Sequence, residues 1–468
     1  MQGFQHGAIY NTAWAYPAIV ARSLGLNVPF DFSVATIPPP GYPLNIEDFL
    51  REAQREFGDT LSTLDWVIRF PNLLHRYTTG VSNYYEHGGG SRPSTYAGDY
   101  LNQAVWGFTV LEGTALTSTI CDGVINAATD WIEDEVVGVP SASMYRTARR
   151  VLNPPADPLR NRETQVDNLA RLTATAPLDV LLVGLGANDA LGTVLTLEVK
   201  DMATAAGTVP ADPIKRLEWN LTSAGQFQAD YVYLAERILY ALGDRSRTQV
   251  FLATVPHVTI PPITAGVGDR QGKYFEYYGR FFVDNNNFDR FIDKHLTRDE
   301  AVLIDARIDQ FNDTIRSVAE AHTWHIVDLC EVLDALAVKR NDLTATPGDA
   351  LRKYYADLGI TDHPLLRLSP IPSVLMLQLD QSGSRIAGGL FGLDGVHPTT
   401  IGYGLVAEAF LRVMQRAGVL GADPSQLPWT DVLLNDTLLQ LPPAIWRDIC
   451  STAKQHATLW DLIFRAIS

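Results

Sequence analysis

The sequence predicts an α/β protein whose parallel β-sheet is covered by helices on both faces. Short apolar runs with the length of strands alternate with longer segments of helical periodicity, in the order 164–175 (helix), 178–184 (strand), 225–242 (helix), 249–255 (strand), 298–321 (helix) and 325–329 (strand). This alternation is typical of parallel strands joined by right-handed crossovers. The functional site of such a sheet lies at the carboxyl ends of its strands.

The composition excludes several classes of protein. With 468 residues, 46% of them hydrophobic, the chain can bury a large core and is not disordered. Its formal net charge of -16 argues against nucleic acid or an anionic membrane surface as a partner, because phosphate groups are bound by lysine and arginine. No apolar run reaches the roughly 18 residues of a membrane span, so no transmembrane segment is predicted.

The cysteines and a histidine pair predict no metal centre. Cys121, Cys330 and Cys450 are odd in number and far apart, without a C-x-x-C spacing, and they suggest neither a disulfide framework nor zinc. His322 and His325 have the spacing of metal ligands, but no third ligand lies near them in the sequence. We expect both histidines to be structural.

The segments before the alternating core are a helix, an insertion and a strand. Residues 1–25 are predicted to form a loop and a first helix. Residues 26–100 form an insertion rich in proline, glycine and aromatic residues. The apolar segment from Leu101 to Thr109 follows, and we expect it to be a strand that ends at Gly107.

Two more insertions and a carboxyl-terminal extension complete the chain around a core domain of residues 1–418. Residues 256–297 carry a dense aromatic patch, which could line an acyl pocket or act as a lid; we favour an insertion that packs its own aromatic side chains. Residues 331–390 form the other insertion, with a possible strand at 373–379. Residues 419–468 are predicted to be a helical extension that packs on the core through apolar side chains, namely Trp429, Leu433, Leu438, Trp446, Leu459 and Ile463.

The stretch from Leu393 to Thr400, L-D-G-V-H-P-T-T, places an acid and a base at the mouth of a helix predicted from about Thr399 to Arg416. Pro398 and the two threonines suit the first turn and the cap of that helix. Asp394 and His397 lie three residues apart, so the carboxylate can orient the imidazole and both can face one cleft. The alternative is that Asp394 only caps a turn and His397 is an ordinary surface histidine.

Two upstream segments offer donors for a developing negative charge. The strand at 180–183 is followed by glycines and then Asn188, whose amide at the carboxyl edge of a parallel strand would be useful in acyl transfer. Gly107 ends an apolar segment, and its N–H can approach a ligand closely because it carries no side chain. The alternatives are a polar turn at Asn188-Asp189 and a purely structural glycine.

The order of these pieces, a glycine, then G-x-N-D, then D-x-x-H before a final helix, resembles the SGNH or GDSL-type hydrolases, a family of serine esterases and lipases. The resemblance implies a flavodoxin-like three-layer fold, no metal or organic cofactor, and ester substrates that are small molecules, lipids or glycans. It also implies that Asp394 and His397 are the acid and base of a triad. Gly107 and Asn188 would then donate hydrogen bonds to the oxyanion.

The first block of that family, G-D-S with the nucleophilic serine, does not precede these pieces. Family members commonly follow the block with a glycine-rich segment and a helix that begins near a Tyr-Pro pair. Gly3 to Ala8 and Tyr16-Pro17 resemble these two features. The resemblance therefore places the first strand and the serine immediately upstream of Met1, where any export signal would also lie.

The internal look-alike Gly58-Asp59-Thr60 is not expected to supply the nucleophile. It follows Asn45 to Phe57, where apolar residues lie among charged ones as in a helix, whereas a nucleophile elbow needs a preceding apolar strand. We predict that the triplet is the carboxyl-terminal turn of this helix, closed by glycine.

These observations predict an esterase that acts through an acyl-enzyme, although the chain as written lacks the nucleophile and should be nearly inactive. A sheet without its first strand should also expose apolar surface and unpaired backbone groups, which predicts poor solubility. The competing hypothesis is a non-catalytic ligand- or glycan-binding protein of the same fold, which keeps the cleft without the serine.

Overall fold

The computed structural model describes residues 3–128, 140–243, 247–341, 346–458 and 460–461, and it is a mixed α/β structure. Its strands, numbered in chain order, are β1 (Phe4–Gln5), β2 (Ala8–Ile9), β3 (Tyr42–Pro43), β4 (Val180–Val183), β5 (Gln249–Ala253), β6 (Thr264–Gln271), β7 (Tyr274–Arg280), β8 (Leu296–Thr297), β9 (His325–Val327), β10 (Gln378–Leu379) and β11 (Arg385–Ala387).

The central sheet has the strand order β4-β5-β9, and both of its pairings are parallel. These are the strands predicted at 178–184, 249–255 and 325–329, so the parallel sheet is confirmed for these three strands. β4 lies at one edge, and no strand among the described residues pairs with its other side. Three of its four apolar residues are only partly buried, whereas four of the five residues of the central strand β5 are fully buried.

The helices, also numbered in chain order, connect and cover these strands. They are α1 (Tyr16–Ser23), α2 (Ile46–Phe57), α3 (Phe70–Ser82), α4 (Val110–Ala115), α5 (Ser118–Ala127), α6 (Ser143–Leu152), α7 (Gln165–Thr175), α8 (Asn188–Thr196), α9 (Pro213–Arg216), α10 (Ala224–Leu242), α11 (Arg298–His322), α12 (Leu329–Leu336), α13 (Val338–Asn341), α14 (Asp349–Asp357), α15 (Thr400–Arg416), α16 (Trp429–Leu434), α17 (Thr437–Gln440) and α18 (Ile445–Thr452). Within the described ranges, no helix is both long and apolar enough to cross a membrane.

Helices lie on both faces of the central sheet, because alternate side chains of β5 enter two separate cores. Val250 and Leu252 pack in one core with apolar residues of α10 and α11. Phe251 and Ala253 pack in the other core with apolar residues of α1 and α15. The sheet is therefore the middle layer between two layers of helices.

The predicted helix starts are confirmed where a capping residue marks them. Thr164 and Thr297 form reciprocal capping boxes with Asp167 and Glu300 at the starts of α7 and α11. The hydroxyl of Thr399 accepts a hydrogen bond from an N–H in the first turn of α15 at 3.3 Å. These starts are set by hydrogen bonds within four residues, which is why the sequence alone predicts them.

The strand predicted to end at Gly107 is wrong, because residues 101–109 form an irregular segment. Its polar groups are satisfied by side chains rather than by a neighbouring strand. The carbonyl of Gln103 accepts from the Gln165 side chain at 2.6 Å, and its own side-chain oxygen accepts from Asn168 at 3.1 Å. An apolar run without a partner ladder does not become a strand.

The possible strand at 373–379 is shorter than predicted. Only its last two residues pair, as β10 with β11, and the register shifts between them. Ser373 makes an isolated bridge with Gly389, and its hydroxyl accepts from the N–H of Gly388 at 3.1 Å. Ser373 also exchanges backbone hydrogen bonds with Gly388 and Leu390, so the pairing here is a single bridge rather than a continuous ladder.

The aromatic patch of residues 256–297 lies mainly on an antiparallel sheet of β6, β7 and β8. Phe281, directly after β7, packs against Trp446 and Trp460 with ring centroids 6.0 and 5.3 Å apart. Tyr277 and Phe288 pack on each other within the insertion, at 5.4 Å. The aromatic side chains thus pack among themselves and against the carboxyl-terminal segment.

The helices that follow residue 418 contact the rest of the chain through buried side chains. Trp429, Leu438 and Trp446 are buried, as the predicted packing of this extension requires. The indole N–H of Trp446 donates to the carbonyl of Leu377 at 3.0 Å. Of the other side chains predicted to pack here, Leu433 is partly buried, and Leu459 and Ile463 lie outside the described residues.

Substitution of Trp446 by alanine should destabilise the protein by about 3–5 kcal/mol, because it removes a fully buried side chain and leaves a cavity. Urea unfolding followed by circular dichroism measures this free energy. The matched control is Leu441→Ala, since Leu441 is 67% exposed and its loss should change stability by less than about 0.5 kcal/mol. Equal effects of the two substitutions would contradict the packing of this extension.

Candidate functional site

The D-x-x-H segment forms a hydrogen-bonded acid and base directly before α15. Nδ1 of His397 lies 2.9 Å from Oδ2 of Asp394. The Asp394 carboxylate is fully buried and also accepts the N–H groups of Gly7, Val396 and His397 at 2.8, 2.9 and 3.0 Å. Asp394 therefore both caps the turn and holds the imidazole, and His397, which is 9% exposed, is not an ordinary surface histidine.

The environment of Asp394 keeps its carboxyl group ionised. Burial raises the pKa of Asp394, but the charge of His397 and the hydrogen bonds from His397 and Val396 outweigh burial and hold the pKa below its usual value. With Nδ1–H donating to this carboxylate, Nε2 of the neutral ring carries the lone pair. The pair is thus arranged as a general base with its orienting acid.

The first described residues of the chain hold the imidazole in place. The ring of Phe4 lies against that of His397 with centroids 4.3 Å apart, and the Tyr403 hydroxyl donates to the Phe4 carbonyl at 2.6 Å. Nδ1 of His6 accepts the N–H of Leu393 at 3.0 Å. These supporting roles could not be predicted from the sequence, because they join residues nearly 400 positions apart.

Gly107 and Asn188 come together at the carboxyl end of β4. Asn188 is the first residue of α8, and its side-chain amide donates to the carbonyl of Phe108 at 2.8 Å. Gly107 has a φ of +79°, and a Cβ there would lie 2.9 Å from Cγ of Met144. Both the backbone conformation and the space favour glycine at this position.

Asp189 fastens these two segments to each other. Its buried carboxylate accepts the N–H of Val110 at 3.0 Å and the hydroxyl of Thr222 at 2.8 Å. Burial raises the pKa of Asp189 to about 7. The sequence predicted an oxyanion donor at Asn188, with a polar turn at Asn188-Asp189 as the alternative, and assigned no separate role to Asp189; the structure shows that the Asp189 side chain links the segment after Gly107 to α8.

One large cavity connects the candidate residues. It has a volume of about 990 Å³, and its wall includes Trp106, Gly107, Asn188 and His397. Gly107, Asn188 and His397 therefore line the same cavity, and Asp394 is hydrogen-bonded to His397. No serine or cysteine is among the described residues that line the cavity.

The cavity also runs along the unpaired side of β4. All four residues of β4 line it. Its walls include residues of α1 and α15 on one face of the sheet and residues of α7 and α10 on the other. The cavity thus lies at the level of the sheet, between the two helix layers, beside an edge whose N–H and C=O groups have no strand partner among the described residues.

Thr60 lies apart from this cavity. Its triplet follows α2, which begins with Asn45 as its N-cap and ends at Phe57, and Gly58 has a φ of +82°. Thr60 is exposed and does not line the cavity. The prediction of a helix carboxyl-terminal turn is confirmed.

The predicted structural roles of His322 and His325 agree with their surroundings. The ring of His325 stacks on Phe251 at 4.8 Å, and that of His322 packs on Trp324 at 4.9 Å. Neither histidine belongs to a group of three possible metal ligands within the described residues.

Comparison of the chain with protein-family models, with curated proteins and with solved structures finds no match.

Replacing Asp189 by asparagine should change how stability depends on pH. The folded protein keeps a proton on Asp189 up to about pH 7, whereas an unfolded chain releases it near pH 4. Because the folded state binds more protons between these values, the free energy of unfolding falls as pH rises through this window.

We therefore expect wild-type stability to fall relative to Asp189→Asn between about pH 4 and pH 7, by at most about 1.4 kcal/mol per pH unit, and to level off above this range. Urea unfolding of both proteins at four pH values measures the difference. Parallel pH profiles for the two proteins would show that Asp189 is not held protonated.

Proposed function

We propose that the protein is an ester hydrolase of the SGNH type on a flavodoxin-like three-layer fold. In this proposal His397 and Asp394 serve a serine carried on a strand beside β4. The observation that carries the proposal is the 2.9 Å hydrogen bond between His397 and Asp394 at the wall of the cavity that Gly107 and Asn188 also line.

His397 has the surroundings of a general base. Its Nδ1 is committed to Asp394, so Nε2 is the nitrogen that can take a proton from a hydroxyl group. The ionised carboxylate then stabilises the imidazolium that forms. Because the pair is buried, this stabilisation is screened less than it would be in water.

Gly107 and Asn188 are the proposed oxyanion donors. One N–H of the Asn188 amide is held by the Phe108 carbonyl, and an amide nitrogen carries a second hydrogen that can reach a ligand. Gly107, whose N–H is the other proposed donor, directly precedes Phe108 in the same irregular segment. Donors fixed in this way need no reorganisation when negative charge develops on a substrate.

The free edge of β4 supports the proposed position of the nucleophile. A parallel strand adds at about 4.8 Å from its neighbour, in the plane of the sheet, and the cavity beside β4 lies in that plane between the helix layers. Phe4 packs on His397, so the residues that precede Phe4 in the chain begin beside the proposed site. A serine at the carboxyl end of such a strand would lie at the edge of the sheet where ligands bind.

The same cavity is the basis for the proposed low solubility of this chain. Without an added strand, the apolar residues of β4 stay partly exposed beside unpaired backbone groups. Exposed strand edges pair with other chains and promote aggregation.

The proposed reaction has two halves. The serine oxygen attacks the ester carbonyl carbon while Nε2 of His397 takes the hydroxyl proton, and the oxyanion accepts hydrogen bonds from Gly107 and Asn188. The carbon–oxygen bond to the alcohol then breaks, and the alcohol leaves with the proton from His397. Water then attacks the acyl carbon while Nε2 of His397 takes its proton; the bond between this carbon and the serine oxygen breaks, His397 returns the proton to the serine, and the carboxylic acid is released.

The test compares two proteins in the hydrolysis of p-nitrophenyl acetate and octanoate. One is the present sequence, and the other, here called the extended chain, adds the residues encoded in frame upstream of Met1 through the next start. We expect turnover by the extended chain only. In it, His397→Ala should lower kcat by about 10⁶-fold and Asn188→Ala by about 10²–10³-fold.

His322→Ala is the matched control, since His322 packs on Trp324 and does not line the cavity. Turnover by the present sequence that disappears in Thr60→Ala would overturn the placement of the nucleophile. Inactivity of both proteins would favour the alternative, a ligand- or glycan-binding protein. The observation that favours the binding-protein alternative is that no serine or cysteine is among the described residues that line the cavity.

A further inference from the structure

A second group of reactive side chains lies outside the proposed catalytic residues. A ring nitrogen of His257, the sulfur of Cys330 and a carboxylate oxygen of Asp334 all lie within 4.8 Å of one another. We propose that these three side chains bind a zinc ion and leave a fourth coordination position open.

The fold brings the three residues together from two elements. His257 follows β5 at the carboxyl end of the sheet, and Cys330 and Asp334 lie one turn apart on α12 and so share a face of that helix. The hydroxyl of Thr254 accepts the N–H of Cys330 at 3.0 Å, which fixes the start of α12 to the end of β5. The donor set is therefore held by rigid elements.

The donor separations suit a tetrahedral zinc centre. Nδ1 of His257 lies 3.6 Å from the sulfur of Cys330, close to the roughly 3.5 Å that zinc bond lengths imply for a nitrogen and a sulfur ligand. The same nitrogen lies 2.8 Å from Oδ1 of Asp334. Nitrogen and oxygen ligands of one tetrahedral zinc ion lie roughly 3.4 Å apart, so these two atoms would have to separate slightly. The Asp334 side chain is 34% exposed and has room for this small movement.

A carboxylate lies behind the histidine. Nε2 of His257 is 3.2 Å from Oδ1 of Asp309, on the side of the ring opposite to Cys330 and Asp334. Metal-bound histidines commonly donate their second N–H to a carboxylate, which fixes the tautomer and the ring orientation. Asp309 therefore orients Nδ1 of His257 as the ligand atom.

Carboxylates flank the His257 imidazole at both nitrogens, Asp334 at Nδ1 and Asp309 at Nε2. Arg340 is partly diverted from the cluster, because its Nη1 lies 3.9 Å from Asp334 while its Nη2 is paired with a separate carboxylate at 2.9 Å. The cluster thus keeps an excess of negative groups around the imidazole.

The chemistry of the donors selects the metal. Magnesium and calcium prefer sites built from oxygen ligands, whereas zinc binds nitrogen, thiolate sulfur and carboxylate oxygen together. Three protein ligands with an open position are typical of zinc sites that also bind water or a substrate. The sequence predicted no zinc site because His257 and Cys330 are 73 residues apart.

The test adds Zn²⁺ to the metal-free protein of residues 1–468 and measures binding by calorimetry, with metal content determined after dialysis. We expect one zinc per chain. Co²⁺ added in place of zinc should give a thiolate-to-metal charge-transfer band. Cys330→Ser and Asp334→Asn should each weaken zinc binding by at least about tenfold, and Asp309→Asn by about 10–100-fold.

The matched control is the double variant Cys121→Ser and Cys450→Ser, which keeps the cluster and removes the other thiols; it should bind zinc as the wild type does. Asp309 is 64% exposed, so its substitution tests the site without disturbing the core. Absence of stoichiometric zinc binding, or a cobalt band that survives Cys330→Ser, would overturn the proposal.

Discussion

The candidate site depends on one buried carboxylate. Asp394 has no exposed surface, yet it is surrounded by three backbone N–H groups and the imidazole of His397. These partners make its burial tolerable, because an ionised group without them would lose several kcal/mol of solvation. One of the partners is Gly7, so the same carboxylate ties the first described residues to the turn before α15. Phe4 then covers the imidazole from that side.

The second constraint is the incomplete edge of the central sheet. β4 is apolar along its length and lies between two helix layers, as a central strand does, but among the described residues only one of its sides is paired. The neighbouring cavity reaches from this unpaired side to His397. One added strand would therefore satisfy the β4 backbone, fill apolar space and present its last residue to the base. Of these consequences, only the last distinguishes the proposed esterase from a binding protein of the same fold.

The sequence predicted what local interactions determine. The predicted starts of α7, α11 and α15 are confirmed. Their N-caps, Thr164, Thr297 and Thr399, lie within four residues of the groups they bind. The prediction of a strand before Gly107 was wrong because a β-ladder needs a partner strand from elsewhere in the chain. His257 was missed for the same reason, since its partners on α12 are more than seventy residues away. The order of Gly107, Asn188, Asp394 and His397 predicted one site; Gly107, Asn188 and His397 line one cavity, and that they act together stays a prediction.

Covalent labelling tests the central claim most directly. A fluorophosphonate reacts with a serine only when a base activates it, so the extended chain should take up one label, and peptide mapping should find it on a serine that precedes Gly3. The His397→Ala variant of that chain should remain unlabelled. A label on Thr60, or labelling that does not depend on His397, would contradict the account of a base that serves a serine beside β4.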